Sequence, residues 1–185
     1  MTRGKPGATL AAVVGCLVAV ITVAFAAYGL WDRKSMIICK RSPHLSQISA
    51  VESAVNNFQI EYGFLPSSEP RLKTDNPAGI KLLAVLLGME RESPEMVNKR
   101  RIWFLSTKEV SERKGGLLYN STRDSVEGLF DAWGNPLIVE LDVENRGELL
   151  INYGPRTVEL KGRAVAAYSA GKDKKIGTQD DLRNW

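Results

Sequence analysis

Histidine and cysteine are nearly missing from this sequence: one His and two Cys among 185 residues. The single His44 has no acid or nucleophile pattern near it, and no phosphate-binding glycine loop, Cys/His metal cluster or hydrolase elbow occurs. The expectation is a protein that is not an enzyme and has no small-molecule substrate. Cys16 and Cys39 stand 23 positions apart, ~34 Å along a helix, too far to pair with each other. A disulfide scaffold is thereby excluded, leaving Cys39 for a contact between molecules. The chain also has little basic excess once position is considered. Residues 1–42 hold Arg3, Lys5, Arg33, Lys34, Lys40 and Arg41 against Asp32 alone, which leaves 19 basic and 20 acidic residues in the rest. The formal charge of +4 therefore belongs to the N-terminal stretch, and nucleic acid is excluded as a partner. Internal repeats and low-complexity segments are absent as well.

What the sequence does hold is one long apolar run, Ala8 to Leu30, 23 residues without a charge. As a helix it would reach roughly 34 Å, enough to cross a bilayer core of ~30 Å. A buried helix in a protein of this length is rarely apolar all round for six turns. The run reads as a single membrane anchor, its flanking Lys and Arg suited to anionic headgroups. Two rivals stay open. A cleaved signal peptide suits Arg3, Lys5 and the small residues Ala24-Phe25-Ala26-Ala27, although the run exceeds the usual ~7–15 apolar residues. A lipoprotein reading of Val13-Val14-Gly15-Cys16 has only about six apolar residues before its cysteine. About 140 residues remain for one domain with a modest core.

Within that domain Ile48, Val51, Val55, Phe58 and Tyr62 recur at spacings of three and four, predicting an amphipathic helix that starts after Ser42-Pro43 and is stopped by Gly63 and Leu65-Pro66. Residues 66–77 form a polar connection, Ile80 to Leu87 a second short helix ended by Gly88, and 89–101 a charged, irregular stretch. Residues 101–105 suit a short strand or core anchors, and Glu109 to Lys114 a solvated loop or helical turn. Further on come short alternating strands: Leu137 to Val143, then Glu148 to Tyr153 after the turn 144–147. Gly154-Pro155 breaks the second, and Thr157 to Leu160 and Arg163 to Ser169 bracket Lys161-Gly162 as a hairpin turn. Helices followed by an antiparallel meander make an α+β plan.

Two strings carry local chemistry. In Leu129 to Leu137 (LFDAWGNPL), Asp131 can accept backbone N–H groups, Gly134 and Asn135 tolerate positive φ, Pro136 fixes the start of a strand, and Trp133 is expected to lie buried beneath. In Tyr168 to Trp185, the carboxylates of Asp173, Asp180 and Asp181 share a loop with Gly171 and Gly177. Hard oxygen donors on a flexible loop suit Ca²⁺, which takes six to eight oxygens, although the spacing is not that of an EF-hand. The alternative is a solvated acidic loop neutralised by Lys172, Lys174 and Lys175.

The basic start, apolar run and amphipathic helix ending in Tyr62-Gly63-Phe64-Leu65-Pro66 resemble type IV pilins and the pseudopilins of type II secretion. The family's processing signal is Gly followed by Phe-Thr-Leu-x-Glu, and here Gly7 precedes Ala8-Thr9-Leu10-Ala11-Ala12. The implied prepilin cleavage lies between Gly7 and Ala8. Thr9 and Leu10 match, while Ala8 replaces Phe and Ala12 replaces a glutamate implicated in packing subunits together. Residues 131–136 resemble the Asp-Pro-Trp-Gly-Asn-Pro signature of the major pseudopilin family, with Ala132 in place of the first proline. Residues 168–185 resemble that family's C-terminal calcium loop with its near-terminal Trp. By that likeness the metal ligands would be Asp173, Asp180 and Asp181 with carbonyls near Ala170 and Thr178, and Asp131, Trp133, Gly134, Asn135, Pro136 and Trp185 would be structural.

The resemblance covers roughly residues 45–185 and is strongest at 129–137 and 168–185. It implies a pilin-like α+β fold: a long transmembrane and amphipathic N-terminal helix packed on a small antiparallel sheet, with a C-terminal calcium-type loop. The segments would be a basic start at 1–7, the span at 8–30, a juxtamembrane segment at 31–44 and the pseudopilin-like domain at 45–185. It further implies a single-pass protein of the inner membrane with its domain in the periplasm, although two basic residues before the run and four after it would by charge alone place the domain in the cytoplasm. The implied partners are the inner membrane, other pseudopilin or secretion-system subunits, and further copies of the chain. The expected role is a non-catalytic subunit of a type II secretion or type IV pilus-like assembly, stabilised by calcium. The alternative is a stand-alone anchored calcium-binding domain that does not polymerise.

Overall fold

A computed structural model describes residues 45–185. Helix α1 occupies 45–62. Its Ile48, Val51, Val55 and Phe58 are fully buried, as the three-four spacing predicts. Gly63 ends it with φ +79°, its N–H returning to the Gln59 carbonyl at 2.8 Å. Strand β1 is Arg71–Lys73 and helix α2 is Pro77–Leu86. Asn76 caps α2 by accepting the Gly79 N–H at 2.7 Å, with Pro77 in the first turn, where its missing N–H costs nothing. The remaining strands are β2 (Glu109–Val110), β3 (Gly116–Tyr119), β4 (Val126–Phe130), β5 (Ile138–Leu141), β6 (Glu148–Tyr153), β7 (Arg156–Lys161), β8 (Val165–Ser169) and β9 (Leu182–Arg183).

These strands form three small sheets: β1-β5-β8-β9, β2-β3-β4 and the hairpin β6-β7. The first is antiparallel throughout, and its central strands β5 and β8 bury every residue. Because side chains alternate across a sheet, those two strands serve two cores. Val139, Leu141, Val165 and Ala167 join the main core with the buried face of α1, with Leu82, Leu83 and Leu86 of α2, and with Leu117 and Leu129. Ile138, Ala166 and Tyr168 join a second core with Leu149, Ile151 and Tyr153 of β6. Each fully buried aliphatic or Phe side chain contributes roughly 1.5–3 kcal/mol.

Two buried carboxylates tie these layers together. Glu52 of α1 accepts the Ala167 N–H at 2.9 Å and the side-chain amide of Asn184, with Arg163 at 3.8 Å. Glu140 of β5 accepts the Tyr168 hydroxyl at 2.9 Å and lies 3.3 Å from Arg71. Burial pushes the Glu140 carboxyl above the ordinary carboxylate range, against the opposing pull of Tyr168 and Arg71.

Several expectations are corrected. The pilin-like plan of a long N-terminal helix packed on one small sheet is not found among the described residues. They form small sheets with only two short helices, α1 and α2, so the fold is mostly β. No helix among the described residues is long and apolar enough to cross a membrane. The physical reason lies in composition: α1 carries Glu52, Asn56, Asn57, Gln59 and Glu61 before Gly63 stops it. This corrects the inner-membrane localisation with a periplasmic domain. The run 8–30 behind that expectation, the segments 1–7 and 31–44, and the cleavage pair Gly7 and Ala8 lie outside the described residues.

The antiparallel meander is corrected too. Lys161-Gly162 does not join paired strands, because β8 pairs with β5 and not with β7. The hairpin turn is Gly154-Pro155, which joins β6 to β7 with Gly154 at φ +60°. Residues 101–105 form no strand, although Leu105 is fully buried. Glu109–Val110 pairs in parallel with β3, where a solvated loop or helical turn was expected. β5 ends at Leu141, and Asp142 instead caps a turn, accepting the N–H groups of Arg146 at 3.0 Å and Gly147 at 2.7 Å.

Candidate metal centre

Strands β8 and β9 are neighbours, with Ser169 opposite Leu182, so the segment between them must loop out and return. Gly171 (φ +65°), Lys174 (φ +61°) and Gly177 (φ +95°) supply the left-handed turns. At Gly171 a side chain is also excluded by space: a Cβ would lie 2.3 Å from the Asp180 carbonyl oxygen. The two ends of the loop therefore touch.

That closure brings Asp173, Asp180 and Asp181 together, one carboxylate oxygen from each lying within 4.8 Å of the others. Asp173 is exposed, Asp180 half-buried and Asp181 buried. The carboxylates are already organised by donors. Asp180 Oδ2 accepts the Asp173 N–H at 2.9 Å, and Asp173 Oδ1 accepts the Lys175 N–H at 2.8 Å. Asp181 Oδ2 accepts the Gly177 N–H at 2.7 Å, the Thr178 N–H at 3.2 Å and the Tyr153 hydroxyl. The Thr178 hydroxyl donates between Asp180 Oδ1 at 2.7 Å and Asp181 Oδ1 at 3.1 Å. This hydroxyl, followed by the Asp173 N–H, holds the Asp180 carboxyl below its ordinary range.

The implied ligands divide as follows. The three aspartates converge. Thr178 reaches the cluster through its side chain, where a carbonyl was expected, and Ala170 sits half-buried at the foot of the loop after β8. Lys172, Lys174 and Lys175 are exposed around it. One divalent cation reaching three oxygens at ~2.0–2.6 Å needs them within about 5 Å of one another, a limit that these three meet without selecting a particular ion. Asp181 Oδ2 already takes three donors, which leaves Oδ1 as the freer oxygen for a cation. Trp185 packs edge-on against Tyr168 and Tyr153, with ring centroids 5.5 and 6.1 Å away, and Arg183 lies 5.1 Å over the Tyr153 ring.

The turn at 131–136 stands directly beside this loop. Asp131 is fully buried; its Oδ1 accepts the N–H groups of Trp133 and Asn135, both at 2.8 Å. Its Oδ2 accepts the Asn135 side-chain amide at 2.8 Å and the Ser169 hydroxyl. The same amide donates to the Gly171 carbonyl at 2.5 Å. Gly134 has φ +87°, and a Cβ there would lie 2.7 Å from the Arg113 carbonyl oxygen; Asn135 is not left-handed. Pro136 bridges Phe130, and Trp133 is half-buried against the main core, where full burial was expected.

Sequence reasoning missed Tyr153, Ser169 and the Thr178 hydroxyl as parts of this centre. The alternation in β6 places Tyr153 on a buried face, the one local signal that its hydroxyl needs a partner. Compared with protein-family models, curated proteins and solved structures, the chain matches none, so its own geometry is what bears on the site.

Proposed function

We propose that this is a non-catalytic, pseudopilin-like subunit of a secretion or pilus-like assembly, whose domain is stabilised by calcium in the 170–181 loop. The observation that carries the calcium reading is the convergence of Asp173, Asp180 and Asp181 within 4.8 Å. Carboxylate charges held this close repel, and a bound divalent cation would convert that repulsion into attraction. Backbone carbonyls and water would complete six to eight oxygens. The assembly reading rests on the resemblance at 129–137 and 168–185. A second reading, a calcium-binding domain that does not polymerise, is favoured by Ala12 standing where the family carries its packing glutamate.

The test is thermal unfolding of metal-stripped protein with calcium, magnesium or chelator. A ligand that binds only the folded state stabilises it by about 2.7 kcal/mol at a hundredfold excess over Kd. Melting should rise by several degrees in calcium and much less in magnesium, which demands shorter, octahedral bonds. Asp180→Ala should abolish the difference. Identical curves in calcium and chelator would reduce the loop to a solvated acidic segment. Cross-linking of the full chain in cells separates the two assembly readings: ladders or heteromers support the subunit, monomers alone the second reading.

A further inference from the structure

We infer that the turn at 131–135 is the positioning element of the C-terminal loop, with Asp131 and Asn135 setting the loop's path without touching a ligand. The calcium arm of this inference rests on the proposed function; the positional arm does not.

Three contacts carry it. The Ser169 hydroxyl donates to Asp131, across 38 positions of sequence, and accepts the Gly171 N–H at 3.3 Å. The Asn135 amide donates to both Asp131 Oδ2 and the Gly171 carbonyl, across 36 positions in the second case. Gly171 in turn leaves only 2.3 Å between a notional Cβ and the Asp180 carbonyl. The direction in which the chain leaves β8 is thus fixed by a fully buried carboxylate on another element. The position of Gly171 then fixes Asp180 from the opposite end of the loop. A turn needing only to reverse the chain from β4 into β5 would be served by Asp131 Oδ1 and its two backbone donors. The Ser169 bond to Oδ2 and the second amide bond, to Gly171, add nothing to that task and lead to the loop. A buried donor or acceptor deprived of its partner is costly, so these bonds hold the loop in one place.

Asn135→Asp tests this with almost no change of shape: it replaces the shared amide donor by an acceptor facing Asp131 and the Gly171 carbonyl. Native-state hydrogen exchange is followed by residue in metal-free protein, and calcium Kd is measured by titration calorimetry. The expected result is at least about tenfold faster exchange across 171–181, because both hydrogen bonds of the shared amide are lost, with the amides of α1 and α2 unchanged. Calcium Kd should weaken by a similar factor. Should Asn135→Asp fail to fold, Ser169→Ala removes the hydroxyl that donates to Asp131 and accepts the Gly171 N–H, and decides the question by the same readouts. Unchanged loop exchange in a folded variant overturns the inference, as does an equal rise in loop and core, the mark of a general loss of stability. If wild-type protein takes up no calcium while the variant still loosens the loop alone, the positioning role stands and the calcium reading falls.

Discussion

Removing one oxygen atom, in Tyr153→Phe, separates the hydrogen bond that reaches the acidic loop from the packing around it. The Tyr153 ring would remain edge-on to Tyr168 at 5.4 Å and to Trp185 at 6.1 Å, with Arg183 over its face. What disappears is the hydroxyl donated to Asp181 Oδ2, a buried bond between β6 and a carboxylate 28 positions away. Burial first, and then the Asp181 carboxylate, hold this phenol above its ordinary range, so it is a donor at neutral pH. Hydrogen bonds to charged groups contribute about 1.5–3 kcal/mol, and Asp181 Oδ2 keeps two N–H donors after the change, which selects the lower end. A loss of about 1.5 kcal/mol corresponds to roughly 5 °C in a domain of about 140 residues, whose unfolding entropy is near 0.3 kcal/mol per degree. Scanning calorimetry in chelator should show this loss without any metal, because the bond belongs to the loop's own closure. A variant melting within about 1 °C of wild type would show that the hydroxyl does not secure the loop.

Two further outcomes follow from the same geometry. Glu140 is raised in the folded state by burial, so its contribution is fully present below its unfolded value and is lost as pH rises through the raised one; Glu140→Gln should flatten that decline in urea-unfolding stability relative to wild type across pH 4 to 8, and parallel profiles would refute the assignment. Phe58→Ala empties a fully buried site touching Tyr62, Phe64 and Phe104 and should cost about 3–5 kcal/mol in chemical denaturation; a loss below about 1 kcal/mol would mean that this cluster is not core.

The elements legible in the sequence are those whose signals are local. The stripe from Ile48 to Phe58 predicts α1, the apolar run from Ile80 to Leu87 ended by Gly88 predicts α2 but begins it three residues late, and the alternation in Glu148 to Tyr153 matches β6 to the residue. Strand pairing was not legible. Gly154-Pro155 and Lys161-Gly162 both mark reversals, but turn chemistry does not say which strands meet, and only the first closes a hairpin. The sheet β2-β3-β4 lies in a stretch without clear alternation, and its strands run only two to five residues. The convergence of the three aspartates could be read from one loop with two glycines. The bonds from Asp131 to Ser169 and from Tyr153 to Asp181 join segments far apart in sequence, where no local pattern reaches.

The contact between Glu52 and Asn184 has a kinetic meaning. These partners are 132 positions apart, and closing so long a loop costs roughly 4 kcal/mol of chain entropy by the logarithmic rule. During synthesis the α1 segment precedes Ala167 and Asn184, the groups that Glu52 needs as partners once it is buried. In the emerging chain that carboxylate stays hydrated, so burying this face of α1 without cost requires nearly the whole domain to be out. Final docking of that helix is a late, long-range event, of the kind that makes folding slow and leaves nascent chains in need of chaperone cover.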